Sequence, residues 1–144
     1  MEQSMHMKLY RAFHAQRTQM RAGLAELGLG VGQPKLLAYL TREGPCRQRQ
    51  LAEYFEVDPA AVSRMLEALQ RGGFVERRPD DRDRRGGLIE LTDKGRAAGL
   101  AWQRRRREVE ERMLEGFTPE EREQFAGYLN RAYRNLRDGK EGPA

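Results

Sequence analysis

The nine positions from Arg77 to Arg85 hold five arginines and three aspartates. Guanidinium groups at that density suit phosphate, which they grip through paired, charge-assisted hydrogen bonds. A second candidate set lies just upstream, on a stretch whose apolar spacing marks a helix. With Val62, Met65, Leu66 and Leu69 turned inward at i, i+3, i+4 and i+7, the outward positions are Ala60, Arg64, Glu67 and Arg71, flanked by Ser63. Pro59 and Ala60 are small and open the helix, so a partner surface can come close. Ser63 offers a hydroxyl to a phosphate or a base, and Arg64 can pair with guanine. Solvated arginines on an ordinary surface helix would give the same pattern. Glu67 would be repelled by phosphate unless it sits beyond the groove or reads a cytosine amino group.

Other reactive side chains are sparse. Cys46 belongs to no zinc-ligand or catalytic spacing. A helix start and Arg47 beside it could lower its pKa, but an inert thiol is the expected state. His6 and His14 are eight apart with no acid or cysteine at ligand spacing, so no metal and no cofactor are expected. Arg104 to Arg107 are followed by Glu108, Glu110 and Glu111, which reads as an exposed, internally paired helix face. Tyr10, Tyr39, Trp102 and Tyr133 could line a ligand cleft, although core packing is the commoner fate of such residues. No Ser/His/Asp set, glycine-rich phosphate loop or carboxylate pair stands out, so no catalytic residue is expected and the chain is read as a non-enzyme.

The elements that must position these groups follow from periodicity and punctuation. Leu9, Phe13, Met20, Leu24 and Leu27 predict about six turns of amphipathic helix before Gly28. A shorter helix fits Gln33 to Thr41, with Pro34 in its first turn and Gly44-Pro45 after it. A third, from about Arg47 to Phe55, buries Leu51, Ala52 and Phe55. A tight turn through Glu56-Val57 then meets Asp58-Pro59, an N-cap with proline at the first helical position. The fourth helix stops at Gly72-Gly73. Phe74–Arg78 and Leu88–Leu91 read as short strands around a polar, turn-rich segment from Pro79 to Gly87, a hairpin with a long charged tip. Thr92 caps a long polar helix to about Gly116. Thr118-Pro119-Glu120-Glu121 is a capping box, and its helix sets Phe125, Tyr128, Leu129, Ala132 and Leu136 on one face. The order gives a mainly α fold with a small β-hairpin wing: a winged helix–turn–helix core on a helical dimerisation region.

Composition bounds the rest. The 144 residues carry 27 Lys plus Arg against 22 Asp plus Glu, for a net charge of +5. No apolar run nears the roughly 20 residues that span a bilayer, the polar start leads into no signal-peptide core, and one cysteine suits a reducing compartment. No membrane partner and a cytoplasmic location are expected. The expected organisation is one domain over residues 1–138, with its winged core at about 32–92, helical dimerisation segments at about 4–28 and 93–138, and a disordered tail at 139–144.

From Arg49 to Gly95 the chain resembles the MarR family of bacterial transcription regulators. The carrying residues are Gln50-Leu51-Ala52, Val62-Ser63-Arg64-Met65-Leu66, Gly73-Phe74-Val75-Glu76-Arg77, Asp83-Arg84-Arg85 and Leu91-Thr92-Asp93-Lys94-Gly95. The glycine often found in the turn of such a motif is absent, with Glu56 nearby instead. The resemblance implies a homodimeric winged-helix repressor or activator, associated with a bacterial or archaeal nucleoid. It implies a pseudopalindromic operator in double-stranded DNA and a response to a small phenolic or aromatic effector, or to oxidation. Family members that sense peroxide do so through a cysteine in the first helix, where this sequence has none. The likeness assigns Arg85 to the minor groove, with Asp83 orienting it. Arg77, Arg78, Arg82 and Arg84 become phosphate neighbours, and Gln48 and Arg49 touch the backbone near the third helix. A different class of function competes: a basic helical adaptor that binds protein and uses the winged fold only as a scaffold.

Overall fold

The computed structural model describes the backbone of residues 4–30, 32–80 and 83–138, and the same residues' side chains except those of 80 and 83–86. The expected tail at 139–144 lies outside the described residues. The chain divides into two compact units, Met1–Val109 and Glu110–Ala144. Among the described residues no helix is long and apolar enough to cross a membrane.

The first helix, α1 (Met5–Arg21), starts where Ser4 Oγ accepts the Met7 amide at 3.1 Å. It is shorter than its apolar period predicts. The chain breaks at Ala22-Gly23 and resumes as a single turn, α2 (Leu24–Leu27). Glycine weakens the helix there, and Arg105 Nη2 donates to the Gln19 carbonyl in the last turn of α1 at 2.9 Å. Helix α3 (Gln33–Glu43) runs two residues past the expected end, to Gly44 at φ +81°. Helix α4 (Gln48–Phe55) begins with the Arg47 amide donating to Gln50 Oε1 at 2.8 Å.

Helix α5 (Pro59–Arg71) is capped as expected, Asp58 Oδ1 accepting from the Ala60 amide at 3.1 Å. Between α4 and α5 stands Glu56 at φ 55°, in the left-handed region that glycine usually fills. The sequence lacks that glycine, and the turn forms on glutamate instead. The core under the pair combines Leu36, Leu37 and Leu40 from α3, Leu51 from α4, and Val62, Leu66 and Leu69 from α5 with Phe74 and Ile89. Each large apolar side chain buried so contributes about 1.5–3 kcal/mol.

The strands of the hairpin run further than its turn residues predict. Strands β1 (Val75–Asp80) and β2 (Asp83–Leu91) pair from Val75↔Leu91 to Arg78↔Leu88, then again at Asp80↔Asp83. Pro79, Asp80 and Asp83–Gly87, expected within a turn-rich segment, are therefore strand, and Asp81 and Arg82 lie outside the described residues. Its register shifts between Arg78 and Asp80, where Pro79 has no amide to donate. Gly87, at φ +63°, passes so near the Arg78 carbonyl that a Cβ there would lie 2.5 Å from its oxygen. Outside the hairpin, Cys46 exchanges backbone hydrogen bonds with Ile89 and so adds one residue to the outer edge of β2.

Helix α6 (Asp93–Met113) follows, with Thr92 Oγ1 accepting the Gly95 amide at 3.0 Å. Residues 110–144 include α7 (Pro119–Asp138). Its predicted capping box is present in both directions: Thr118 N to Glu121 Oε1 at 2.9 Å and Glu121 N to Thr118 Oγ1 at 3.1 Å. Within this unit Arg122 reaches Glu111 at 2.9 Å, and Phe117 meets Phe125 edge-on.

Candidate nucleic-acid interface

Helix α5 presents the face that its period predicts. Val62, Leu66 and Leu69 are buried, Met65 and Ser63 are half-buried, and Pro59, Ala60, Arg64, Glu67 and Arg71 are exposed. The cap at Asp58 matters to this face, because it fixes where the first exposed turn begins. Arg64 and Arg71 stand three residues before and four after Glu67, so the acid sits among cations and does not face them alone.

The structure joins the hairpin to α4. Arg77 Nη2 donates to Gln48 Oε1 at 3.1 Å, bringing two of the predicted contact residues together across 29 positions of sequence. Arg49, also exposed, pairs with Glu53 one turn on at 3.1 Å. Arg78 lies 3.5 Å from Glu90 on the facing strand. That diagonal pair offsets the direct opposition of Glu76 and Glu90 in the ladder. Arg82 lies outside the described residues. Asp83, Arg84 and Arg85 are placed by their strand backbone, and their side chains lie outside what is described, including the expected hold of Asp83 on Arg85.

Cys46 is inert as expected, Tyr39 packs among other aromatics, and Arg105 departs from its expected place. Cys46 is buried, and burial pushes its thiol up to about 11, opposite in direction to the activation a helix start and Arg47 could give. Arg105 leaves the supposed solvated arginine face: its side chain is two-thirds covered and reaches α1. Tyr39 packs with Tyr54 and Phe55 at 4.9 and 5.9 Å, and burial raises its phenol. Arg42 covers this aromatic group and donates to the Tyr54 hydroxyl at 3.0 Å, a bond that holds its guanidinium charge more firmly. Tyr10 stacks on His14. Trp102 alone of the four named aromatics lines a cavity of about 480 Å3, with Phe13, Arg17, Arg21 and Lys35 around it. Among the described residues no group of three or more His, Cys, Asp or Glu could hold a metal.

The sequence reading missed Lys94, although it lies in a quoted motif. Its ammonium donates to the Gly72 carbonyl at 2.7 Å, at the C-terminal end of α5. Nothing local signals this, since the partner is 22 residues away.

A model of the MarR family matches residues 31–86, the stretch from the start of α3 into the hairpin. The HTH-type transcriptional regulator YxaD of Bacillus subtilis is 32% identical over 121 residues, covering 84% of this chain and 82% of that protein. A MarR-family transcriptional regulator from Silicibacter pomeroyi has a crystal structure 30% identical in sequence. It superposes at a TM-score of 0.75 over 89% of this chain and 86% of that one. The chain belongs to the MarR family. Its winged helix–turn–helix fold extends to a MarR-family regulator from Listeria monocytogenes, solved with a 26mer DNA, at a TM-score of 0.87 over 99% of this chain and 98% of that one, with 20% identity. In this fold α4 and α5 form the helix–turn–helix and β1–β2 the wing.

Proposed function

We propose that this MarR-family regulator acts as a homodimer on a pseudopalindromic operator and is released from it by a small aromatic effector. The observation that carries the DNA reading is the exposed face of α5 beside an arginine-rich wing tied to α4 through Arg77 and Gln48. Pro59, Ala60, Ser63 and Arg64 meet base edges, while Gln48, Arg49, Arg71, Arg77, Arg78, Arg82 and Arg84 serve phosphate. Arg85 enters the minor groove with Asp83 orienting it. The setting is the cytoplasm, at the nucleoid.

Dimerisation draws support from apolar stripes that their own units leave open. In α1 these are Leu9 and Phe13, and in α7 they are Tyr128, Leu129 and Leu136. Residues of about 4–28 and 93–138 form the dimerisation region, and about 32–92 the winged core, of one functional domain over 1–138. Two recognition helices of a twofold dimer would read half-sites about 34–36 Å apart. The Trp102 cavity supports the effector: its size suits a small molecule, Trp102 and Phe13 supply aromatic walls, and Arg17, Arg21 and Lys35 favour an anion or phenol. An effector that binds a mis-spaced dimer more tightly releases DNA without dissociating it.

Footprinting and gel shifts on DNA upstream of the protein's own gene test this. A protected inverted repeat, steep salt dependence and a preference over random DNA are expected. Binding without sequence preference would favour the adaptor. The sharpest test of the wing is Asp83→Asn. Deleting an acid near DNA ordinarily tightens binding, but loss of the orienting charge should weaken it. Arg85→Ala should flatten the salt dependence by about one unit per wing.

A further inference from the structure

Three consecutive carbonyls lie just past the end of α5, and Thr92, which caps α6, and Lys94 in its first turn hold all three. Gly72 O accepts from Lys94 Nζ at 2.7 Å, Gly73 O from Thr92 Oγ1 at 2.6 Å, and Phe74 O from the Thr92 amide at 3.1 Å. Lys94 also lies over the Phe74 ring, 4.6 Å from its centroid. Gly95 completes the contact, since a Cβ at that position would run into the Phe74 carbonyl oxygen. None of this is needed to end α5. The amides of Gly72, Gly73 and Phe74 already close its last turn on Ala68, Gln70 and Leu69. What the contacts add is a tie between α5 and a helix that begins beyond the wing.

We propose that Lys94 is a positioning residue for DNA recognition: it fixes the angle of α5 against α6 and the base of the wing. The proposal rests on the DNA-binding reading above. A cation at a helix C-terminus gains from the helix dipole as well as from its hydrogen bond, so this tie is among the stronger single contacts available to an exposed side chain. Base readout needs donors and acceptors in hydrogen-bond register, whereas attraction to phosphate depends on charge and tolerates small rotations. Loosening α5 therefore costs sequence discrimination before it costs general affinity.

The experiment uses full-length protein and two duplexes of equal length, one carrying the repeat protected in the footprint and one of random sequence. Lys94→Met keeps the stem over Phe74 and removes the ammonium. Operator affinity should fall about tenfold, with random-duplex affinity and the salt slope unchanged, and Lys94→Arg should recover most of the loss. Equal loss on both duplexes with a flatter salt slope would make Lys94 a phosphate contact and overturn the proposal. Unchanged discrimination would overturn it too. Lys94→Gln, scored the same way, covers the case in which Lys94→Met fails to fold. A wild-type protein that does not distinguish the duplexes would overturn the DNA-binding reading, and this inference with it.

Discussion

Helices α5 and α7 start alike and end differently. Each opens with a side-chain cap followed by proline, and each carries apolar residues at helical spacing. In α5 those residues are covered: Leu66 is 1% exposed and Leu69 is 0%. In α7 they are not, with Leu129 at 48% and Leu136 at 82%, and no residue of the helix is buried. An amphipathic period states that a face needs covering, but it does not say what covers it. One stripe closes within its own unit, and the other is left open by its own.

The comparison is sharpened most by substitutions on the covered side. Leu66→Ala should cost about 2–5 kcal/mol in denaturant unfolding, because the core is closed around it. On the open side, Leu129→Asp with Leu136→Asp should leave helix content intact by circular dichroism. It should weaken self-association by about 2 kcal/mol or more, the scale of a buried apolar anchor, read as a shift from dimer to monomer in sedimentation. A dimer that survives both aspartates would break the contrast. Arg64→Ala, on the outer face of α5, should cost about 1–3 kcal/mol per half-site in operator binding and leave the melting temperature alone. Equal loss on random DNA would reduce Arg64 to a phosphate contact. The smallest effect belongs to the feature both helices share. Asp58→Ala and Thr118→Ala should each cost about 1 kcal/mol of stability, and a much larger loss from either would mean that its cap does more than start a helix.

Local features were legible in the sequence because their causes are local. The Asp58-Pro59 start, the Thr118–Glu121 box, the inward face of α5 and the stop at Gly72-Gly73 each depend on residues within a turn of one another. Most of the misses have distant causes, although the break after Arg21 falls at the local glycine Gly23. Arg105, which donates to the last turn before that break, lies 86 positions from its Gln19 partner. The strands take in Pro79, Asp80 and Asp83–Gly87 because the ladder absorbs turn-forming residues through a shift of register, which composition cannot announce. The left-handed turn at Glu56 shows the opposite case, a geometry present without its usual residue. For the candidate interface, the face of α5 was readable from its period. The Arg77–Gln48 and Lys94–Gly72 contacts were not, since each joins elements that only the folded chain brings together.

A two-stranded ribbon has two outer edges, and either could recruit a strand from another molecule. On β2 the edge is occupied where Cys46 exchanges hydrogen bonds with Ile89. On β1 the edge carries Arg77, Arg78 and Pro79, two charges that repel a like strand and a nitrogen with no hydrogen to donate to one. The arginines proposed to meet phosphate thus also guard that edge against a like strand. Replacing them and Pro79 with β-branched residues would remove the proposed nucleic-acid contact and expose a sticky edge in the same step, so loss of binding in such variants should arrive together with aggregation.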